Sequence, residues 1–417
     1  MRVEKSLGWL LLVGAVASGQ VLGPNFEQRG FIEFDLIGFP LTAPNDSGQA
    51  VGIGLARWDA SYKLAPWITF SGGLEAQADT HQDTERSFRI DWTDRGLLRP
   101  ALAVRSLEAT LHKGHFTADL GKQFIHWGKA DILNPTDRFA PRDYMYVVDS
   151  EPIGVWGARL NAEYKGTSID LVWTPRFTPS RIPLLDQRWA LLPPDSPARI
   201  ENAATVFPGG GQYGMRINHV GNGYEVSASL FEGFNHLPLL LPILNPVSET
   251  VFVQRFYPKI RSYGTDAAVP LRWFTLKTEA ALIDSAESSP NAPRSDTYLL
   301  WVAQLERQIR QWVIAGGYAG QSVFTSRYPI SFDPERGLTK TVLAKAVYNA
   351  SAPTSVSFET AIRQNGQGTW STIEYSRQVA VHWRLIGGIT VIAGARNDFL
   401  GEYHRNSFGV FKVRYSF

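Results

Sequence analysis

Cysteine is absent from all 417 residues, so neither a disulfide framework nor a thiolate metal site can form. An excess of charge of one sign is absent too. Lysine plus arginine total 41 against 39 acidic residues, a balance that argues against nucleic acid or an anionic surface as partner. A spanning apolar run is also missing. The longest, residues 7–17 (LGWLLLVGAVA), falls short of the roughly 20 residues a transmembrane helix needs. Arg2 and Lys5 precede that run, and the small residues Ser18 and Gly19 follow Ala15 and Ala17, the layout of a cleavable secretory signal. Residues 1–20 are expected to be this signal, cut between Ala17 and Val21, with no cysteine nearby for a lipoprotein anchor. Residues 21–417 are expected to form one domain, since no linker and no repeat of 40–50 residues with a fixed signature is visible.

Aromatic residues, by contrast, are plentiful at 12%, with 13 Trp and 15 Tyr, while mean hydropathy is only −0.15. Membrane strands hide from a hydropathy scan because only every second residue is apolar. The last twelve residues, 406–417 (NSFGVFKVRYSF), show the pattern. Phe411, Val413, Tyr415 and Phe417 share one strand face, and Lys412, Arg414 and Ser416 the other. One face suits lipid and the other suits a polar interior. Similar alternation runs through residues 102–111, 116–123, 156–165, 224–231, 273–283, 298–306, 341–348, 356–363 and 381–395. A helix would repeat apolar residues at every third and fourth position instead.

The connections sort into two kinds. Eight are short, at 64–67, 113–115, 165–167, 221–223, 269–271, around Arg310, at 349–353 and near Ala380. Nine are longer and rich in Pro, Gly and Asp, near 39–50, 80–100, 125–153, 175–211, 234–254, 286–295, 325–338, 364–368 and 397–405. Tight periplasmic turns alternating with longer extracellular loops imply an all-β, antiparallel, up-and-down transmembrane barrel with both termini periplasmic. These connections join about eighteen strands, with sixteen the alternative count. A barrel of that size leaves an aqueous lumen.

With these features the chain resembles outer-membrane porin-like channels of Gram-negative bacteria. A local likeness lies in Gly121-Lys122-Gln123, Trp127-Gly128-Lys129, Asn134-Pro135-Thr136-Asp137 and Pro141-Arg142-Asp143-Tyr144, which resemble a segment of poorly characterised porin-like and alginate-export-like barrels. The resemblance implies that Phe411, Tyr415 and Phe417 are read by the barrel-assembly machinery. It also implies that the third long loop, 125–153, folds inward and narrows the channel. The loop's composition suits this, because Pro135 and Pro141 stiffen it. Lys129, Asp131, Asp137, Arg138, Arg142 and Asp143 set both signs of charge close together, giving a constriction field. The same ions could instead pair with each other and with the wall to hold the loop.

Arg159, Glu279, Lys345, Arg363, Arg384, Lys412 and Arg414 are expected to face the lumen. Mixed signs there predict weak ion selectivity. The apolar stretch 236–246 (HLPLLLPILNP) is the anomaly, read as a short helix packed on other loops, with a site for a hydrophobic solute, a fold-back plug or a contact to a neighbouring subunit as the alternatives. Trp273, Trp301, Trp312, Tyr348, Trp383 and Tyr415 suit an interfacial girdle. No catalytic, metal or cofactor motif emerges: His112 and His115 lack a third ligand, and Gly209-Gly210-Gly211 lacks the following Lys-Ser/Thr of a phosphate loop. The expected function is passive passage of small hydrophilic solutes or an anionic saccharide across the outer membrane. A carrier for hydrophobic compounds and a barrel-embedded hydrolase are the alternatives. Expected partners are outer-membrane lipid and lipopolysaccharide, the assembly machinery and two further copies in a homotrimer, with no nucleic acid.

Overall fold

The computed structural model describes residues 23–131, 133–190, 199–245, 249–285, 296–325 and 333–417, so the expected signal and its cut lie outside the described residues. Eighteen strands build the wall. They are β1 (Phe26–Gly38), β2 (Ala50–Ala65), β3 (Ile68–Asp79), β4 (Leu102–Lys113), β5 (Phe116–Gln123) and β6 (Val155–Tyr164). Next come β7 (Thr167–Thr174), β8 (Gln212–Gly221), β9 (Tyr224–Phe234), β10 (Lys259–Pro270), β11 (Thr275–Ser285) and β12 (Asp296–Ile309). The last six are β13 (Trp312–Thr325), β14 (Thr341–Ser351), β15 (Thr354–Arg363), β16 (Gly368–Gln378), β17 (Trp383–Gly394) and β18 (Phe408–Ser416).

Each strand pairs antiparallel with the next, and β18 pairs back onto β1 with Arg414 opposite Glu33 and Lys412 opposite Asp35. Closure leaves no unpaired sheet edge, which an open sheet could not tolerate in hydrocarbon. Both ends of the described chain lie at the short-turn end. Eight short and nine long connections alternate as expected, the short one near 270 lying a few residues later than placed, so the strand count, the closure and the antiparallel order agree with expectation.

Side chains divide by parity, as period-2 geometry demands. On β10, Ile260, Ser262, Gly264 and Asp266 are buried inward while Tyr263 is exposed outward. On β18, Phe411 stands exposed on the outer face, whereas Lys412 and Arg414 bond inward to Asp35 and Glu33. Exposed aromatics mark both ends of the outer surface: Trp67, Tyr164, Trp273 and Trp312 at the short turns, Trp173, Tyr213 and Phe324 at the long loops. That distribution is the aromatic girdle of a membrane wall.

The apolar stretch is corrected here. Residues Leu239–Asn245 form a strand, not a helix, in a three-stranded sheet with Thr250–Phe256 and, beyond it, Arg199–Asn202. The run of branched leucine and isoleucine with Pro242 suits an extended edge strand, where the missing proline N–H costs nothing. Leu237 packs with Tyr144 and Ile182, Leu240 against them, while Ile243 and Leu244 remain exposed.

Candidate functional site

Loop 3, residues 124–154, does not stand above the barrel. It runs along the inner wall strand after strand. The Trp127 indole Nε1 donates to Asp170 of β7 at 3.0 Å, and Asp170 also takes Arg159 at 2.9 Å. Phe139 meets Trp127 edge-on at 5.1 Å and Phe231 of β9 edge-on at 4.9 Å between ring centroids. Gly214 of β8 makes room for both rings, since a Cβ there would sit 2.4 Å from Phe139 and 2.6 Å from Trp127. Farther round, Leu133 packs on Ala319 of β13, Leu343 of β14, Ala361 of β15 and Leu400. The returning segment, Met145 to Val147, packs against Ile37, Phe39, Val51, Ile392 and Phe408, on the side where β1 meets β18. Burial of these apolar side chains makes the loop part of the core.

The polar residues explain why the loop follows this path. Asn134-Pro135-Thr136-Asp137 forms a tight turn closed by the Asp137 amide donating to the Asn134 carbonyl at 3.2 Å. Gly128, at φ +107°, turns the backbone so that the amides of Lys129 and Ala130 both donate to the carboxylate of Glu279. Thr136 Oγ1 donates to the same carboxylate at 3.1 Å. Lys129 Nζ lies 2.8 Å from Asp266, 2.9 Å from Glu225 and 3.1 Å from Asn218 Oδ1. Asp131 takes Lys277 at 2.8 Å and Gln304 at 2.5 Å. Burial pushes the Asp131 carboxyl up, but those two hydrogen bonds together with the charges of Lys277 and Lys345 hold it below its ordinary value.

Asp137 bonds His126 Nδ1 at 2.5 Å, and that hydrogen bond raises the imidazole's affinity for its proton. Arg138 reaches Glu335 of the short helix Pro334–Gly337 at 2.7 Å. Arg142 Nε donates to Ser150 Oγ at 3.0 Å. Asp143 takes a bidentate pair from Arg99 at 2.9 and 3.0 Å and a second cation, Arg181, at 3.3 Å. Burial alone would raise the Asp143 carboxyl, yet the two guanidiniums win and hold it at about 2. Arg181 also binds Asp94, and Asp94 binds the fully buried ammonium of Lys122. A chain of alternating charges thus ties Lys122 of β5, Asp94 and Arg99 of the loop after β3, and Arg181 of the loop after β7 to Asp143 of loop 3.

A cavity of about 630 Å³ stays open between β1–β4, β14–β18 and the inner surface of loop 3. Of the six charges expected at a constriction, Asp131, Arg142 and Asp143 line this space, and Lys129, Asp137 and Arg138 lie off it, bonded as described. All seven residues expected in the lumen lie on inward faces. Lys345 pairs with Glu359 at 3.3 Å, Arg363 with Asp398 at 3.0 Å, and Arg384 Nη1 donates to Ser376 Oγ at 3.1 Å. Phe417, beyond the last strand, rests on Gly30, where a Cβ would lie 2.6 Å from its ring. Sequence reasoning missed Arg99 and Arg181, which hold Asp143, and Asp94, which links Arg181 to Lys122; Lys122 entered only as part of a resemblance. Gly121, at φ +128°, turns the strand there, and no parity argument foresees where Lys122 then points. Among the described residues no group of three or more His, Asp or Glu side chains could hold a metal ion.

No family model matches the sequence, and no curated protein does. Solved structures do match in fold. The structure titled OccAB4, from Acinetobacter baumannii, superposes with a TM-score of 0.56 at 8% identity, covering 95% of this chain and 99% of that one. A BenF-like porin from Pseudomonas fluorescens Pf-5 gives 0.54 at 9% identity over 94% and 98%. The fold is that of a porin. OpdQ from Pseudomonas aeruginosa, at 0.50 and 11% identity over 94% and 98%, shares this porin-like barrel. At such identities the likeness speaks for the architecture, and the side chains of this chain must carry the rest.

Proposed function

We propose that the protein is a passive channel of the outer membrane for small hydrophilic solutes, narrowed by the wall-hugging loop 3. The observation that carries this reading is the charged cavity left open beside that loop. Ten acidic and seven basic side chains line it, three negative charges in excess. Glu374 and Asp149 lie on it with no cation within ion-pair distance among the described residues, whereas its lysines and most of its arginines are paired with carboxylates. A water-filled passage lined this way favours cations and disfavours an anionic saccharide. The expectation of weak selectivity is therefore sharpened to a moderate cation preference.

In this reading the N-terminal signal is removed on export, both ends of the chain lie in the periplasm, and Phe411, Tyr415 and Phe417 serve assembly. The barrel is taken to be a homotrimer in a layer of lipid and lipopolysaccharide. The carrier alternative gains little from residues 236–245, none of which lines the cavity, although Ile243 and Leu244 are exposed. The purified protein in a planar bilayer should give ohmic steps whose reversal potential in a KCl gradient favours potassium. Absence of any conductance would remove the channel reading and leave the barrel-embedded hydrolase to be tested.

A further inference from the structure

Loop 2, residues 80–101, holds an apolar row that the channel does not use. Phe88, Ile90 and Trp92 are 72, 49 and 47% exposed. Pairing fixes the direction in which Ile90, the middle of this row, faces. Ile90 and Asp91 run parallel to β4, opposite Leu102 and Ala103. They occupy the edge of β4 that β5 leaves free, because β5 stays paired with β4 only as far as Lys122 opposite Leu107.

Leu102 is also opposite Ala76 of β3, Ala76 opposite Ala56 of β2, and Ala56 opposite Ile32 of β1. Directly paired residues project to the same side of a sheet. Ile32 alternates with Glu33 and Asp35, which line the cavity, so Ile32 and every residue paired through it, Ile90 included, face outward. Trp92 stays beside the outer face as well. Its carbonyl accepts from the indole Nε1 of Trp156 at 2.7 Å, and Trp156 alternates with the inward Arg159 on β6. The row therefore continues the outer band of Leu74, Leu107 and Leu120 toward the long-loop end.

We propose that Phe88, Ile90 and Trp92 are a lipid anchor, inserted into the outer leaflet beside the barrel, so that loop 2 is held by membrane and does not wave in water. The occupant is lipid because the row is continuous with a wall face that already meets acyl chains. Aromatic side chains favour that boundary. The anchor reaches the channel interior by a short path, since Asp94, two residues on, binds Lys122 and Arg181, and Arg181 binds Asp143 of loop 3. The proposal rests on reading the chain as an outer-membrane channel.

A chain without cysteine permits single nitroxide labels at Phe88→Cys, at Phe411→Cys on the outer face of β18, and at Gln367→Cys in a short exposed loop. In liposomes, collision with oxygen, which concentrates in lipid, is compared with collision with a water-soluble nickel chelate. The label at 88 should resemble the one at 411, with oxygen dominating several-fold, and the label at 367 should show the reverse. Chelate dominance at 88 with oxygen dominance at 411 overturns the anchor and leaves the membrane reading intact. Chelate dominance at both overturns the two together. Dipolar broadening at 88 between labelled copies would mean that a second subunit covers the row, and it too overturns the lipid assignment.

Discussion

Replacing Asp143 by Asn isolates the charge that holds loop 3 in the channel. Asn keeps the shape and an accepting oxygen but strips Arg99 of its bidentate carboxylate and leaves Arg181 with Asp94 alone. Removing one partner of a buried ion pair costs about 3–5 kcal/mol, because the remaining charge stays uncompensated. The loss falls on the docked loop and not on the barrel ladder, whose hydrogen bonds the substitution does not touch. It corresponds to roughly a 10²- to 10⁴-fold rise in the undocked population. Single-channel recordings at pH 7 should show a noisier, larger conductance with weaker cation preference, while strand content and detergent-resistant folding are retained. Acid should mimic this only late. The Asp143 carboxyl is held at about 2 against an ordinary 3.8, so its contribution, ~2 kcal/mol by linkage, is complete above the ordinary value and is lost as pH falls through about 2. Recordings of Asp143→Asn indistinguishable from the parent at pH 7 would refute the idea that this ion chain holds the loop.

Three other outcomes can be checked directly. Gly214→Ala places a Cβ against Phe139 and Trp127 and should destabilise the docked loop by about 1–3 kcal/mol, read as increased proteolysis within residues 124–154. Glu374→Lys with Asp149→Lys changes the cavity lining from three excess negative charges to one excess positive charge, and the reversal potential should swing from potassium toward chloride. His236, stacked on Phe177 at 5.4 Å and hydrogen-bonded at the Thr178 carbonyl, is pushed by burial down to about 4. Because the folded value lies below the ordinary 6.5, loop stability should fall as pH drops from 6.5 toward 4, by up to ~3 kcal/mol, and His236→Phe should flatten that dependence in thermal melts.

How much of this could be read beforehand varied by element. Strand 116–123 was legible to the residue because its alternation runs from Phe116 to Leu120 and a glycine turn precedes it. The 269–271 turn was placed early, and the structure turns at 271–274, since Pro270 still closes the strand as its last residue. The 236–246 stretch was misread because a short apolar run has no distinguishing period. The charges of loop 3 were found, but the mates of Asp143 lie 44 positions before it, at Arg99, and 38 after it, at Arg181. No local pattern joins residues so far apart.

Alternation is a property of neighbours along the chain, so the sequence alone determined a closed barrel of sixteen to eighteen strands, which end of it has short turns, and which side chains of β18 face in or out. Where loop 3 lies, which of its charges are consumed in holding it and which still face the passage depend on groups brought together across the lumen. Those are distances between strands far apart in sequence, and only the tertiary structure decided them.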